Sequence, residues 1–265
     1  MITFSNYKQV CSLEEAWTLN QKRSNLVLGG MAWIKMSRRR FGTAIDLSAL
    51  GLDQITETDT AFEIGAMTSL RAMETHPGLH SYSDGAIRES LKHIVGVQFR
   101  NTATVGGSVF GRFGFSDVLT MLLAMDSAVE LYKGGIVPMA DFAAAKKDKD
   151  ILVKVIVNKT PGHFAYRSVR NTRTDFPTLT CALAQMNGRM TAAVGARPQR
   201  AIKIEDPGYF DGGDFEKSAA AFADDVAQTI ETGSNLRGSA AYRSHLASVL
   251  VKRCCMDIKA LEGGR

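Results

Sequence analysis

Two pairs of adjacent glycines, Gly29-Gly30 and Gly106-Gly107, constrain this 265-residue chain more than any other feature. The first pair ends an apolar run, Leu26-Val27-Leu28, and leads into Met31-Ala32. The second stands beside hydroxyls in Thr102-Ala103-Thr104-Val105-Gly106-Gly107-Ser108. A glycine-rich turn after a strand lets several backbone N–H groups point at one anion. It also lets a ligand approach the backbone where a Cβ would collide. The first pair lacks the G-x-G-x-x-G spacing of a Rossmann turn and the Lys-Ser/Thr ending of a P-loop, so a plain tight turn also explains it. After the second pair and its glycine-rich stretch comes Asp117, whose carboxylate can accept from ligand hydroxyls. The alternative there is a hydroxyl-rich surface loop in which Asp117 supports Ser116 at a helix start.

The rest of the pattern divides into three segments. Ser12-Leu13-Glu14-Glu15 is a capping-box pattern that predicts a short helix through Ala16-Trp17. Strands at 25–28 and 44–47, joined across the first glycine turn, suggest a small mostly parallel unit. A second segment opens with a strand at 61–67, where Phe62, Ile64 and Ala66 alternate with other residues. Helical pattern follows at 69–75 and 86–94, then a helix at 118–125 capped by Ser116. A hairpin closes over Lys133-Gly134-Gly135. The third segment has strands at 151–157 and 164–169, and a hairpin across Asn187-Gly188. Two closing helices present Ala219, Phe222, Val226 and Ile230 on one face, and Tyr242, Leu246, Val249 and Leu250 on another.

Composition excludes several function classes. A hydrophobic content of 45 % with 22 % charged residues is that of an ordinary globular protein. A net charge of +5 suits an anionic ligand. The two basic clusters, Arg38-Arg39-Arg40 and Lys146-Lys147-Asp148-Lys149, read as solvated loops rather than a nucleic-acid surface. No apolar run is long enough to span a bilayer, and Met1 to Lys8 lacks a signal-peptide pattern, so a cytoplasmic protein is expected. Cys11, Cys181, Cys254 and Cys255 form no C-x-x-C arrangement, and the five histidines form no ligand motif, so no metal site is expected. No catalytic acid, base or nucleophile motif stands out. Tyr166, Tyr132 and Trp33 are candidates to stack on a planar ring, with core packing as the default for each.

Several blocks, in order along nearly the whole chain, resemble the FAD-binding subunits of xanthine dehydrogenase-like molybdenum hydroxylases, of the carbon monoxide dehydrogenase medium-subunit type. They are the Leu26 glycine turn, Ala44-Ile45-Asp46-Leu47-Ser48, Glu63-Ile64-Gly65-Ala66-Met67-Thr68, and Val97-Gln98-Phe99-Arg100-Asn101 followed by Ala103-Thr104-Val105-Gly106-Gly107-Ser108. Ser116-Asp117 and the C-terminal Asn235-Leu236-Arg237-Gly238-Ser239-Ala240-Ala241-Tyr242-Arg243 complete the set. The resemblance implies an α+β fold of the p-cresol methylhydroxylase (PCMH) type. Two FAD-binding subdomains would occupy 1–55 and 56–158, and a C-terminal domain of antiparallel sheet and helices 159–265.

It further implies FAD contacts. Val27, Leu28, Gly29, Gly30, Met31 and Ala32 would line the pyrophosphate, and Thr104, Gly106, Gly107 and Ser108 the pyrophosphate and ribityl chain. Asp117 would take a ribityl or ribose hydroxyl, Leu152 would lie near the isoalloxazine, and Arg167 falls where relatives often carry lysine beside the flavin. Met31 stands where many relatives have threonine, and Ser108 where asparagine is usual. Arg167 replaces a flexible ammonium by a planar guanidinium. No histidine or cysteine lies in either glycine segment, so the FAD is expected to be non-covalent. The implied role is electron transfer from a [2Fe–2S] small subunit through FAD to NAD⁺ or another acceptor, beside a molybdopterin-binding large subunit. A self-contained PCMH-type flavin oxidoreductase and a non-catalytic FAD-binding module are the alternatives.

Overall fold

The computed structural model describes residues 1–263. Its first unit is parallel. Strand β1 (Thr3–Gln9) leads to helix α1 (Leu13–Gln21), then to β2 (Leu26–Leu28) and β3 (Arg40–Asp46). The capping signal acts as read: Ser12 Oγ accepts the Glu15 N–H at 3.1 Å, and the Glu15 carboxylate accepts the Cys11 N–H at 2.9 Å. The sheet runs β1-β3-β2, with both pairings parallel. The predicted parallel unit is thus present, with one strand more than the pattern showed. β1 escapes a hydrophobicity reading because most of its side chains are exposed and polar.

The second sheet has the order β4-β5-β8-β6-β7 and is antiparallel. β4 (Ile55–Glu57) and β5 (Ala61–Gly65) come first. Six short helices follow: α2 (Leu70–Thr75), α3 (Pro77–Tyr82), α4 (Ala86–Leu91), α5 (Val97–Thr102), α6 (Val105–Phe110) and α7 (Asp117–Ala124). The chain returns through β6 (Ser127–Leu131), β7 (Gly135–Pro138), α8 (Met139–Ala144) and β8 (Leu152–Asn158). β8 inserts between β5 and β6, so the strand read at 151–157 opens no new segment and belongs to this sheet. The stretch read as a glycine-rich loop is also different: Gly106 and Gly107 are the second and third residues of α6. Glycine disfavours helix interiors by about 1 kcal/mol relative to alanine, and the packing described below overrides that preference here.

The third sheet is an antiparallel β12-β11-β10-β9. It contains β9 (Gly162–Arg170), β10 (Pro177–Met186), β11 (Arg189–Gly195) and β12 (Ile202–Glu205), followed by α9 (Phe215–Thr229) and α10 (Ala240–Gly263). Asn187 and Gly188 turn the predicted hairpin with φ of 51° and 75°, the two left-handed positions a tight I′ turn requires. Side chains alternate across β10. Cys181 and Leu183 face α9 and α10, while Ala182 and Ala184 face the core shared with α7 and the second sheet. All eight residues of α7 are buried, because apolar elements cover it on every side. On α10 the buried face is Arg243, Leu246, Ala247, Leu250, Val251 and onward, and Tyr242 points outward. The predicted face is therefore rotated by about one residue at its start, for a reason that lies in Arg243.

Candidate functional site

The two glycine pairs meet in space. A Cβ on Gly30 would lie 1.6 Å from the Thr102 carbonyl oxygen, and one on Gly29 2.8 Å from Thr104 Oγ1. Only glycine lets the first loop rest directly on the start of α6. Beyond it, Met31 adopts a left-handed φ of 53°. Among the described residues, the amides of Gly29, Gly30, Met31 and Ala32 donate to no acceptor within the chain. Successive amides of this kind form a cradle for an anion.

The start of α6 has its amides satisfied within the chain. Val105 N–H donates to Thr68 O at 2.9 Å and Gly106 N–H to Ala66 O at 2.8 Å. Gly107 N–H donates to Thr104 Oγ1 at 3.1 Å, which makes Thr104 the N-cap. Ser108 spends its hydroxyl proton on Thr104 O at 3.0 Å. A Cβ on Gly106 would sit 2.6 Å from Ala66 O, so this glycine permits close packing on the Glu63–Thr68 block. Gly107 is exposed, and a Cβ there would meet only Thr104 Oγ1, at 3.1 Å. Of the expected α6 residues, Gly107 leaves open space where a side chain would stand, although its N–H is held by Thr104.

Asp117 is nearly buried and is engaged through one of its two carboxylate oxygens. It opens α7 and is 4 % exposed. Its Oδ1 accepts from the Tyr166 hydroxyl at 2.5 Å and from Arg170 Nη2. Burial pushes its carboxyl up to about 6, against the pull of the Arg170 guanidinium and the Tyr166 hydroxyl. Ser116, just before it, donates to Ser108 O at 3.0 Å and so ties α7 to α6. Arg170 Nη1 donates to Asp175 O at 2.7 Å, and the Asp175 carboxylate takes Arg237 at 2.8 Å, which holds it below its ordinary range. This chain of contacts joins the α7 start to the Asn235–Gly238 block.

The remaining two residues of the expected set are Leu152 and Arg167. Leu152 is 5 % exposed and lies in the core with Val105 and Val109, behind α6. Arg167 points to the other face of β9 from Tyr166, because successive strand side chains alternate. There it forms a bidentate pair with Asp257 of α10, at 2.6 and 2.7 Å. The cation beside Asp117 is Arg170, one of the residues that motif reading did not single out. The strand period offered the signal, since Arg170 shares a face with Tyr166.

Trp33 is 49 % exposed and is no core residue. Its ring centroid lies 5.2 Å from Phe115, 5.3 Å from Phe176 and 6.3 Å from Phe113. Each sheet unit thus supplies part of one aromatic wall at the junction. Tyr166 follows the core default, and Tyr132 packs under Lys133 at 4.5 Å. Among the described residues, no group of three or more His, Cys, Asp or Glu is placed to hold a metal ion. No described helix is long and apolar enough to cross a membrane.

A cradle of unpartnered amides, two interlocked glycine pairs and an aromatic wall suit an anionic ligand with a planar ring, held in a protein of mixed α+β build. Residues 3–160 match the family described as the FAD binding domain in molybdopterin dehydrogenase, and the chain belongs to that family. It is the flavin-binding part of an oxidoreductase. It is 28 % identical over 209 residues to the uncharacterised protein YgfM of Escherichia coli strain K12, covering 78 % of this chain and 77 % of that one. It is 24 % identical to the nicotine 6-hydroxylase medium subunit of Paenarthrobacter nicotinovorans, covering 96 % and 97 %. The structure superposes on carbon monoxide dehydrogenase from Hydrogenophaga pseudoflava with a TM-score of 0.86 at 21 % identity, over 96 % of this chain and 97 % of that one. Quinoline 2-oxidoreductase from Pseudomonas putida 86 gives 0.83 at 20 % identity, over 96 % of both. The fold is the expected PCMH-type one.

Proposed function

We propose that this chain is the electron-transferring FAD subunit of a heteromeric molybdenum hydroxylase, with the FAD held non-covalently. The carrying observation is the strip of free amides at Gly29, Gly30, Met31 and Ala32, seated on the start of α6. Its geometry fits a pyrophosphate, with Val27 and Leu28 leading into it and Gly107 leaving open space beside it. Met31 loses nothing essential here, because the donors are backbone groups and not side chains. Asp117 fixes Tyr166 and Arg170 through Oδ1, which leaves Oδ2 to take a ribityl or ribose hydroxyl.

When bound, FAD supplies the redox chemistry: it takes electrons singly and releases them in pairs. The chain's own residues bind, orient and shield it. In this reading electrons arrive from a [2Fe–2S] subunit and leave to NAD⁺ or another acceptor, while a molybdopterin-binding subunit handles the organic substrate. The relatives' names support this, since this chain matches nearly the full length of a subunit called medium. All four cysteines are unpaired, which suits a reducing compartment, and we place the complex in the cytoplasm.

The test is direct. Purified protein should be yellow, and acid precipitation should release the flavin into the supernatant as FAD. A colourless protein that takes up no FAD on reconstitution defeats the proposal.

A further inference from the structure

We propose that β12 is a homodimer interface, pairing antiparallel with β12 of a second copy so that the two third sheets join into one. The inference stands independently of the FAD reading above. β12 is an edge strand, bonded to β11 and to no other described strand. Its Ile202 and Ile204 lie opposite Val194 and Ala192, and just beyond them the Asp206 N–H donates to Met190 O at 2.9 Å. Bonded and non-bonded pairs alternate along an antiparallel ladder, so Ile202 and Ile204 also spend their backbone groups on β11. Lys203 and Glu205 therefore aim their N–H and C=O groups outward, where the described residues offer no partner. Pro207 has no N–H and ends this open ladder.

Charge says what covers this edge. Lys203 and Glu205 share one face of the strand and pair with each other at 3.0 Å. Charged side chains on an edge ordinarily keep other strands away. Here the two signs are self-complementary. In a two-fold antiparallel pairing centred on Ile204, Lys203 of each copy faces Glu205 of the other. Both are outward positions, and each such pair exchanges two N–H···O bonds in addition to its ion pair. On the opposite face Ile204, packed on the α9–α10 core, meets its own copy across the axis. The space beside the strand is open. Cavities of about 470 and 480 Å³ flank Lys203, one lined by Met125, Asp126 and Asn187, the other by Ala140, Ala144 and Gln199. They leave room for the side chains of an incoming strand. Tyr166 and Arg170 lie on β9, the opposite edge of the sheet, so pairing leaves the candidate site of each copy uncovered.

The test is the mass of the full chain in solution, read by sedimentation equilibrium from about 1 to about 100 μM. The parent is expected to dimerise with a dissociation constant on the order of 10 μM, as suits a short interface. Lys203→Glu and Glu205→Lys each set like charges opposite one another and should weaken the dimer roughly tenfold or more. Mixed in equal amounts, the two variants regain complementary edges and should form a heterodimer about as stable as the parent dimer. Loss of the intrachain Lys203–Glu205 pair cannot explain that recovery, because neither variant restores the pair. Glu205→Pro removes an outward N–H and no bond to β11, so it should be folded and monomeric. Circular dichroism checks the folding of each variant. A parent that stays monomeric throughout the range overturns the proposal. So does a dimer that the charge reversals leave unchanged, a mixture that fails to associate, or a folded Glu205→Pro that remains dimeric.

Discussion

Asp117 is the carboxyl of the site that burial raises, and that direction has a measurable consequence. Burial raises its carboxyl from the ordinary 3.8 to about 6. Between those values the folded chain holds more protons than the unfolded one, so this group's contribution to stability falls as pH rises and levels off above about 6. The stability gap between the parent and Asp117→Asn should therefore shrink between pH 4 and pH 6. Urea unfolding of both proteins at half-unit intervals would show it. A gap that is constant or widens with pH would sink the assignment. The glycines make a second residue-scale contrast. Gly30→Ala places a Cβ 1.6 Å from Thr102 O, a backbone atom that cannot yield, so the loop must lift off α6. Gly107→Val meets only the Thr104 hydroxyl at 3.1 Å and fills the open side. We expect Gly30→Ala to lose both thermal stability and FAD. Gly107→Val should keep its melting temperature within a few degrees and lose FAD affinity. Circular dichroism melts beside FAD titration would separate them, and equal melting losses would contradict the geometry.

At the scale of elements, the legible features were those with strong local chemistry. The capping box before α1, the Asn187-Gly188 hairpin and the Ser116 cap of α7 each satisfy backbone groups within a few residues, so sequence pattern suffices. α6 was not legible. Its glycines argue for a loop, and only contact with Ala66 and the first loop makes a helix the better solution. The α10 face was misread by about one residue because Arg243, a charged residue, is fully buried. Its guanidinium donates to Thr178 O at 2.8 Å, Ala196 O at 3.2 Å, Gly233 O at 2.7 Å, Gly238 O and Asn235 Oδ1 at 2.6 Å. A periodicity argument cannot foresee acceptors drawn from three distant segments. The Asn235–Arg243 block, recognisable by resemblance, thus acquires a physical role as the clamp between α10 and the third sheet. Arg243→Ala should strand several buried carbonyls and destabilise the chain by roughly 3 kcal/mol or more. Arg243→Lys should recover only part of that, since an ammonium has three donors and no fork. Chemical denaturation of both variants tests this, and a loss under about 1 kcal/mol for the alanine would show the clamp to be dispensable.

For the whole molecule, the site is assembled from all three sheet units. Trp33 and the glycine loop come from the first, Phe113, Phe115 and Asp117 from the second, and Tyr166, Arg170, Asp175 and Phe176 from the third. The core also runs across the second and third units, with Phe164, Tyr166, Ala182 and Ala193 packed beside α7. A division at 158/159 would therefore cut one hydrophobic core, although sheet pairing changes there. Two carboxylates of this assembly are already held by arginines, Asp117 by Arg170 and Asp175 by Arg237. Neither is placed as a free general acid or base for an organic substrate. On the proposed reading, the chain relays electrons only. The isolated FAD-loaded chain should thus transfer electrons from NADH to an artificial dye at most. It should not oxidise purines, aldehydes or N-heterocycles until an iron–sulfur subunit and a molybdopterin subunit are added. Steady-state assays of the chain against such a panel, alone and with the co-expressed partners, decide the matter. Turnover of any of these substrates by the chain alone would replace the subunit reading with a self-contained flavoenzyme.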